Sequence, residues 1–352
     1  MKTIAILVPT LKKGGAEKQS IQLLNALGVK YKIDLIIPYP EVGVENELLE
    51  GIKAENYEIF KLQGNTLKKL IALYKILREN KPIALFCYLT WPDFYGPIIG
   101  KLAGVGKIYQ GIRNSQLEKN KLIYEKIGNK FATGVVINNF SGFEWFENKG
   151  IKNIVVIPNS YPNIQPPVKR QERKHIKIVT VARFVEQKDY LTAIKAVANV
   201  RKEYTDISFE IIGHGVLEQQ IREWVSELGL NDIVDIKINP RNIIDLLKDG
   251  DIYLSTSLFE GTSNSIMEAM DASLPIVATN VGDNNKLVED GKNGFLVAAG
   301  DVESITEYLL KLTESYELRM QMGLKSNEIL QEFYSFEIFK KRYINLLNNG
   351  AV

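Results

Sequence analysis

The stretch Phe259-Glu260-Gly261-Thr262-Ser263-Asn264-Ser265-Ile266-Met267-Glu268-Ala269-Met270 carries two glutamates, Glu260 and Glu268, with seven residues between them. Residues 251–257 before it form a short apolar run that ends in small polar residues, as a buried parallel strand does where it meets its loop. Residues 264–272 have a helical pattern. The stretch therefore predicts a strand, a loop and a helix of an α/β sheet.

The loop before this helix is suited to an anion. Thr262 or Ser263 can cap the helix, so free backbone N–H groups and the positive end of the helix dipole point toward the loop. Glu260 precedes the helix and Glu268 lies more than one turn inside it, so their carboxylates can reach different hydroxyl-bearing parts of one ligand. A ligand with phosphates between a sugar and a ribose fits this arrangement. The spacing alone also leaves open that both glutamates are ordinary surface residues.

Two cations follow another predicted strand. Arg183 and Lys188 come after the apolar run 176–181, at the edge of an open α/β sheet where ligands bind. Arg183 can fork onto phosphate oxygens and Lys188 adds a point charge. Both can also be surface cations beside the next helix. Gly213 lies in a third predicted strand-end loop. The neighbouring His214 has no second histidine or cysteine nearby, so the sequence does not predict a metal site there.

Together these segments resemble glycosyltransferase family 4, the retaining enzymes of the GT-B fold. In that family a proline opens the strand after the acidic helix, as Pro275 does here, and a glycine turn follows, as at Gly282. The resemblance is strongest over 180–297 and loose in the first half of the chain. It implies an α/β protein in which two Rossmann-like, doubly wound parallel-sheet domains face each other across a cleft.

The resemblance also implies roles for the site residues. Arg183, Lys188 and Glu260 are predicted to be catalytic, the two cations on the donor diphosphate and Glu260 on the hydroxyls of the donor sugar. Glu268 is predicted to hold the nucleotide ribose. The other predicted donor-binding residues are Gly14, Gly15, Gly213, Gly261, Thr262, Ser263 and Asn264. We expect no metal and no cofactor, because the nucleotide sugar is itself a substrate, and we set aside a metal-dependent transferase with an Asp-x-Asp motif.

Paired glycines follow the first predicted strand. Gly14 and Gly15 precede a helix predicted over 17–26, without the Gly-x-Gly-x-x-Gly or Lys-rich P-loop patterns of other nucleotide sites. Paired glycines let the backbone come close to a phosphate or a sugar. They match the glycine loop with which many family members close over the donor, although a plain strand-to-helix turn is an alternative.

One family feature is missing from the first half of the chain. Many members have a histidine there near the donor sugar, whereas both histidines here, His175 and His214, lie in the second half. Arg113 and Asn114 follow the strand predicted over 107–111. We predict that they take this role, Arg113 as a phosphate donor and Asn114 as a hydroxyl contact.

The length of 352 residues suits two domains better than one core. We predict an acceptor-binding domain over 1–165, a nucleotide-sugar domain over 172–335, and a proline-containing linker within 160–174. By resemblance, a final helix over about 336–347 returns to the first domain, so that 336–352 belongs to it.

The near-neutral net charge of +2 hides an asymmetry. Residues 1–170 hold 24 Lys and Arg against 14 Asp and Glu, net +10, and residues 171–352 hold 20 against 28, net −8. Basic helices in the first half predict contact with anionic lipid heads or a pyrophosphate-linked acceptor, with solvated helix faces as the alternative. Nucleic acid is not expected, because no recognition motif accompanies the basic segments.

The single cysteine, Cys87, excludes a disulfide within the chain and favours the cytoplasm. The first apolar run ends by Pro9, too short for a signal peptide, and no segment predicts a membrane span. We therefore expect a cytoplasmic protein, with peripheral contact at the inner face of the cell membrane left open.

The resemblance implies a retaining hexosyl- or N-acetylhexosaminyltransferase. It would move a sugar from a nucleotide-diphosphate sugar, with UDP favoured, to a hydroxyl of a saccharide acceptor. A lipid-linked acceptor in surface polysaccharide or glycan assembly is favoured, with a soluble small molecule as the alternative. The alternatives are an epimerase or hydrolase on the same fold, which usually needs added acid/base groups, and a non-catalytic transferase partner subunit, which has no need for all four charged site residues.

Overall fold

A computed structural model describes residues 1–12 and 14–350 of the chain. Lys13, in the predicted glycine loop, and residues 351 and 352, at the end of the predicted returning segment, lie outside the described residues. The chain forms two compact units, Met1–Ser160 with Phe336–Val352, and Tyr161–Ser335. Over the described part of the chain, no helix is both long enough and apolar enough to cross a bilayer.

The first unit contains a parallel sheet of seven strands. The strands are β1 (Thr3–Leu7), β2 (Lys32–Ile37), β3 (Tyr57–Lys61), β4 (Ala84–Cys87), β5 (Lys107–Ile112), β6 (Gly134–Ile137) and β7 (Ile154–Val156). Their order is β3-β2-β1-β4-β5-β6-β7. The central strands are apolar on both faces, because helices cover both sides of a parallel sheet.

Six helices connect these strands: α1 (Gly15–Gly28), α2 (Asn46–Glu50), α3 (Thr66–Asn80), α4 (Thr90–Ala103), α5 (Lys119–Asn129) and α6 (Phe143–Asn148). Alternate residues of β1 serve two cores. Ile4 and Ile6 pack with α1, whereas Ala5 and Leu7 pack with α3 and α4. The helix α4 lies between α3 and α5 on this second face.

The second unit contains a parallel sheet of six strands. They are β8 (Ile176–Arg183), β9 (Ile207–His214), β10 (Val234–Ile238), β11 (Ile252–Ser255), β12 (Ile276–Thr279) and β13 (Gly294–Val297). Their order, β10-β9-β8-β11-β12-β13, is that of the doubly wound Rossmann sheet. The direction of winding reverses between β8 and β11, so the loops after these two strands border the crevice in which such sheets bind ligands.

The helices of the second unit are α7 (Tyr190–Glu203), α8 (Glu218–Glu227), α9 (Ile243–Asp249), α10 (Asn264–Asp271), α11 (Asn284–Leu287), α12 (Val302–Glu314) and α13 (Tyr316–Tyr334). The last helix, α14 (Phe336–Asn349), belongs to the first unit. Its Phe339 and Tyr343 are buried in the core beside α1, and the Tyr109 hydroxyl donates a hydrogen bond to the Leu346 carbonyl at 3.1 Å.

The segment predicted to be a linker is part of the second unit. The division of the chain falls after Ser160, and Tyr161 already pairs through its N–H with the Tyr334 carbonyl at 2.8 Å. Further along, the Gln165 amide donates to Asp271 at 2.7 Å, and the Val168 amide donates to the Ser273 hydroxyl at 3.0 Å. Prolines and charges predicted a linker within 160–174, and these hydrogen bonds attach that segment to the second unit.

Arg170 anchors this segment at the ends of two helices. Its guanidinium donates to the carbonyls of Lys248 and Gly250 at the end of α9, and to those of Ala272 and Ser273 just after α10, at 2.7 to 3.4 Å. The final carbonyls of a helix have no partner within the helix, so this side chain supplies the missing donors.

We expect Arg170→Met to lower the free energy of unfolding of the second unit by about 3 kcal/mol, because it leaves these carbonyls without a donor. Urea-induced unfolding of the full chain measures the change. Arg222→Met is the matched control, since Arg222 is exposed and pairs with Glu218 one helical turn away, and its removal should cost under about 0.5 kcal/mol. Equal losses in the two variants would contradict this account of Arg170.

Candidate active site

A pocket of about 410 Å³ opens within the second unit at the carboxyl edge of its sheet. Its walls come from the ends of β8 and β9, the loops after β8 and β11, the start of α9 and the first turns of α10, so it lies at the reversal point of the sheet. The lining residues are Val181, Ala182, Arg183, Lys188, Gly213, His214, Ile243, Glu260, Thr262, Ser263, Asn264, Ser265 and Glu268. Most of the predicted site residues are therefore brought together here.

Arg183 is the last residue of β8, and its side chain is exposed at the pocket with no hydrogen bond or ion pair to a described residue. A guanidinium in this state is available to an anionic ligand. Gly213 pairs with Ala182 on the neighbouring strand, and a Cβ at Gly213 would stand 1.9 Å from the Ala182 carbonyl oxygen. Glycine is therefore required for β8 and the loop after β9 to approach this closely.

Lys188 and Glu260 form an ion pair across the reversal point of the sheet. The Ser257 hydroxyl donates a second hydrogen bond to the same Glu260 oxygen at 2.7 Å. Both charged side chains are largely buried, 12% and 9% exposed. The sequence predicted one residue for phosphates and the other for a sugar, and in the structure they are also partners of each other. Breaking such a pair is costly, because the remaining charge stays buried.

Further hydrogen bonds join the two loops that carry this pair. The Leu258 amide donates to the Gln187 carbonyl at 2.8 Å, and the Gln187 side-chain amide donates to the Phe259 carbonyl at 2.7 Å. The Thr256 hydroxyl lies 3.0 Å from the Lys188 carbonyl. The position of Glu260 is thus set by contacts of the residues that precede it in the chain.

The helix α10 begins with Ser263 as its N-cap, and the Ser263 hydroxyl accepts a hydrogen bond from the Ile266 amide at 3.5 Å. Thr262, the other predicted cap, donates to Asp283 at 2.9 Å instead. The amides of Asn264 and Ser265 donate to no described residue. These first-turn donors and the helix dipole make the pocket side of α10 suitable for an anion.

Glu268 has no hydrogen bond or ion pair to any described residue, although it lines the pocket and is partly buried. Burial raises the pKa of its carboxyl above the ordinary glutamate value. A carboxylate that is desolvated without a partner is destabilising unless a ligand supplies donors. This position is therefore ready to accept hydrogen bonds from hydroxyl groups.

The predicted site residues of the first half belong to the first unit and do not line this pocket. Gly15 is the first residue of α1, so that helix begins earlier than the predicted position 17, and a Cβ at Gly15 would meet no atom within 4 Å. A Cβ at Gly14 would meet the folded-back carboxylate of Glu17 at 2.2 Å.

Arg113 and Asn114 follow β5 in this unit. The Arg113 guanidinium lies over the Tyr88 ring, 4.7 Å from its centroid, and its Nε and Nη1 atoms are buried without a hydrogen-bond partner. Asn114 is exposed.

Sequence reasoning missed some residues that shape the pocket. Ser257 and Gln187 position Glu260, and Ile243 adds an apolar wall. The small polar run before Glu260 signalled Ser257, since a hydroxyl three residues before a carboxylate can reach it in a tight loop. No comparable signal marked Gln187 or Ile243, which come from other loops.

The sequence contains one Asp-x-Asp run, Asp249-Gly250-Asp251, which the expectation of a metal-free site overlooked. It precedes β11 at the amino edge of the sheet, away from the pocket. Asp251 accepts hydrogen bonds from Arg173 and from the Lys177 amide at 2.8 Å each, and Asp249 pairs with Lys177. Within residues 1–12 and 14–350, no group of three or more His, Cys, Asp or Glu side chains could hold a metal ion.

Comparison with known proteins identifies the class. The profile of the family described as "Glycosyl transferases group 1" matches residues 163–328. An uncharacterized glycosyltransferase of Haemophilus influenzae is 30% identical over 357 residues, covering 96% of this chain and 97% of that protein. The UDP-Gal:alpha-D-GlcNAc-diphosphoundecaprenol alpha-1,3-galactosyltransferase of Escherichia coli is 25% identical over 80% of each protein.

A third relative is longer than this chain. The poly(ribitol-phosphate) alpha-N-acetylglucosaminyltransferase of Staphylococcus aureus is 26% identical over 233 residues, which are 66% of this chain and 47% of that protein. The chain thus spans about half the length of this relative.

Solved structures show the same fold. Anabaena Alr3699/HepE, in complex with UDP and glucose, superimposes with a TM-score of 0.76 at 19% identity, covering 99% of this chain and 100% of that one. The apo form of the lipopolysaccharide outer core galactosyltransferase WaaB gives 0.75 at 19% identity, with 99% of each chain covered. The two parallel-sheet units and these neighbours show a GT-B fold, as predicted, and the relatives found by sequence show a glycosyltransferase. The chain belongs to the group 1 glycosyltransferases.

Gly282 provides a test of how Glu260 is positioned. Its φ is +55°, and a Cβ there would stand 2.1 Å from the Glu260 carbonyl oxygen. We expect Gly282→Ala to displace Glu260 and lower the turnover of nucleotide sugar at least tenfold, because small displacements of a reacting geometry are costly. Gly291→Ala is the control, since φ there is +75° but a Cβ would meet nothing within 4 Å. Equal activity in both variants would show that Gly282 does not position Glu260.

Glu268 provides a test of how much stability the chain loses by burying an unpaired carboxylate in the pocket. Its raised pKa means that the folded chain holds this proton to higher pH than the unfolded chain does. The protonated carboxyl therefore favours the folded state. This contribution is complete below the unfolded glutamate pKa of about 4.3 and is lost as the pH rises through the folded pKa. We expect Glu268→Gln to raise Tm by ~3 °C at pH 7, with the gain shrinking toward pH 4. Exposed Glu332→Gln should show no such trend in thermal unfolding.

Proposed function

We propose that the pocket of the second unit binds a nucleotide-diphosphate sugar, and that the protein transfers the sugar, with retention, to a hydroxyl of a saccharide acceptor as a family 4 enzyme. The observation that carries this proposal is the composition of the pocket at the carboxyl edge of the second sheet. An unpaired guanidinium and free helix amides suit a diphosphate, and two carboxylates suit the hydroxyls of a sugar and a ribose.

In this proposal Arg183 and the amides of Asn264 and Ser265 hold the diphosphate. Negative charge grows on the diphosphate as the bond to the sugar breaks, and donors fixed beforehand stabilise that charge by ~3 kcal/mol each. Gly213 and Gly261 leave the backbone accessible to the ligand. The Gly14–Gly15 turn of the first unit is proposed to contact the donor as well, because a Cβ at Gly15 would meet no atom of the described residues within 4 Å.

The Lys188–Glu260 pair has two proposed tasks. Lys188 compensates the charge of Glu260, so a carboxylate can remain beside a diphosphate, and from this position its positive charge also stabilises the phosphates. Glu260 accepts hydrogen bonds from the sugar hydroxyls. It is not proposed as a nucleophile, because one of its oxygens is already engaged by Lys188 and Ser257. Glu268 accepts hydrogen bonds from the ribose hydroxyls, which provides the missing donors at its carboxylate.

The proposed step breaks the bond between the anomeric carbon and the phosphate oxygen and forms a bond from the same face to the acceptor oxygen. The acceptor proton passes to the departing diphosphate, whose oxygens lie on that face. No protein group is oxidised or reduced, and the step is proposed to need no metal ion. The protein thus contributes mainly electrostatic stabilisation and positioning.

We propose UDP as the nucleotide and a hexose or N-acetylhexosamine as the sugar. Two relatives support this choice by name, the E. coli UDP-Gal enzyme and a Streptococcus pneumoniae UDP-N-acetylglucosamine–peptide transferase subunit that is 29% identical over 178 residues. The Anabaena neighbour contains UDP.

We propose a lipid-linked saccharide as the acceptor, within surface polysaccharide or glycan assembly. The E. coli relative is named for a diphosphoundecaprenol-linked acceptor, and a Rhizobium meliloti relative, 22% identical over 96% of each chain, is named for lipopolysaccharide core biosynthesis. Arg113 and Asn114 are proposed to contact this acceptor or the donor sugar. The protein would then work as a cytoplasmic, peripheral enzyme at the inner face of the membrane.

A donor and acceptor screen tests the function. The purified chain is incubated with UDP-, GDP- and ADP-sugars, with and without a lipid-linked acceptor extract, with and without EDTA, and product configuration is read by NMR. We expect one UDP-sugar to give acceptor-dependent, EDTA-resistant release of UDP and a product with the donor's anomeric configuration. Arg183→Ala and Glu260→Gln should each reduce turnover by at least 100-fold, whereas exposed Arg222→Ala should not.

Other outcomes of the screen separate the alternatives. Conversion of the donor without acceptor would indicate an epimerase or hydrolase. Donor binding without any turnover would favour a partner subunit. A product of inverted configuration would leave transfer intact and contradict retention, and absence of binding to every nucleotide sugar would show that the pocket has another ligand.

A further inference from the structure

The helices on one face of the first unit carry a concentrated positive charge. This face is formed by α3, α4 and α5, which pack side by side over the same side of the sheet. Their exposed cations are Lys68, Lys75, Arg78, Lys101, Lys119, Lys121 and Lys126. The exposed carboxylates are Glu79 of α3 and Glu118, which precedes α5 and pairs with Lys121 at 3.4 Å, whereas Asp93 and Glu125 are buried. We call the outer surface of these three helices the basic helical surface.

The opposite face of the same sheet is a natural comparison. It is covered by α1, α2 and α14, whose exposed charges are Lys18 and Lys341 against Glu47, Glu50 and Glu337. The excess of cations is therefore confined to one face. The excess of exposed cations also stops at α6, the next helix after α5, where Glu144 and Glu147 are exposed. A general excess of lysine in the chain would not produce this distribution.

Exposed apolar side chains lie among these cations. On α3, Leu67, Ile71 and Tyr74 follow at spacings of four and three residues, so they share one helix face. They are 66%, 47% and 38% exposed, whereas Leu73 and Leu77 of the same helix are buried in the core. The exposed stripe of Leu67, Ile71 and Tyr74 is therefore not part of the core that α3 helps to form. Leu102 of α4 and Ile123 of α5 are exposed as well.

We infer that the basic helical surface docks on an anionic lipid bilayer, with α3 lying in the interface. Leu67, Ile71 and Tyr74 enter the boundary between headgroups and acyl chains, and the flanking Lys68, Lys75 and Arg78 contact anionic headgroups. This inference rests on the proposed function in one respect, since a lipid-linked acceptor would bring the enzyme to a bilayer. The surface itself is distinct from the donor pocket, which belongs to the second unit.

Two other occupants fit this surface less well. A second copy of the chain would bring the same excess of cations against itself in a two-fold interface, which electrostatic repulsion opposes. A nucleic acid would satisfy the cations but would leave the stripe of Leu67, Ile71 and Tyr74 without an apolar environment. A bilayer with anionic headgroups satisfies both the charges and the stripe.

Co-sedimentation of the full chain with lipid vesicles tests the inference. We expect binding to phosphatidylcholine vesicles that contain 30 mol% phosphatidylglycerol, weakening with added salt, and little binding to pure phosphatidylcholine. Lys68→Gln/Lys75→Gln/Arg78→Gln should lower the partition coefficient about 100-fold, at about fivefold for each charge. Leu67→Gln/Ile71→Gln should reduce binding at high salt most, because the apolar contribution is not screened.

Matched controls keep the test specific. Lys18→Gln/Lys30→Gln/Lys341→Gln changes the net charge equally but lies outside the basic helical surface, and should bind as the wild type does. All variants should keep the thermal shift produced by the nucleotide sugar, which shows that they are folded and keeps failure here separate from failure of the donor site. Equal losses in both triple variants, or binding to RNA but not to anionic vesicles, would overturn the inference.

Discussion

The Lys188–Glu260 ion pair connects the loops after two strands that are adjacent in the sheet but distant in the chain. Parallel strands end at one edge, and the order of the second sheet places β8 beside β11 where the winding reverses. The pair, the Gln187 hydrogen bonds and the close approach of Gly282 to Glu260 then fix one carboxylate at that edge. The rest of the pocket is built around this fixed point.

Unpaired groups in the pocket lower the folding stability of the second unit, and contacts elsewhere in the unit offset this loss. Glu268 is desolvated without a partner, Arg183 has no counter-ion, and the first amides of α10 are unpaired. Each costs stability in the absence of ligand and each is a contact that a ligand can complete. Contacts elsewhere compensate, above all Arg170, which supplies donors to the ends of two helices. Stability and binding capacity are thus located in different parts of the same sheet, at its two opposite edges.

The first unit separates its functions by face and by edge. Its sheet has a hydrophobic core on each side, and one helical face is basic and partly apolar while the other is balanced in charge. The carboxyl edge of its strands carries Gly14, Gly15 and Arg113. A protein that works on a substrate anchored in a bilayer benefits from this division, because one surface can contact lipid while another edge contacts the substrate.

Sequence by itself determined the fold and much of the pocket. Alternating apolar strands and helices predicted two parallel-sheet units, because local periodicity is readable along the chain. Strand-end position together with the family resemblance of the surrounding segments pointed to Arg183, Lys188 and Glu260, and to Glu268 in the following helix. Tertiary structure alone decided that Lys188 pairs with Glu260, that Thr262 bonds Asp283 instead of capping α10, and that the predicted linker is held by Arg170. It also decided which helices share a face. These are contacts between residues far apart in the chain, and their geometry depends on strand order and packing, which no local pattern contains.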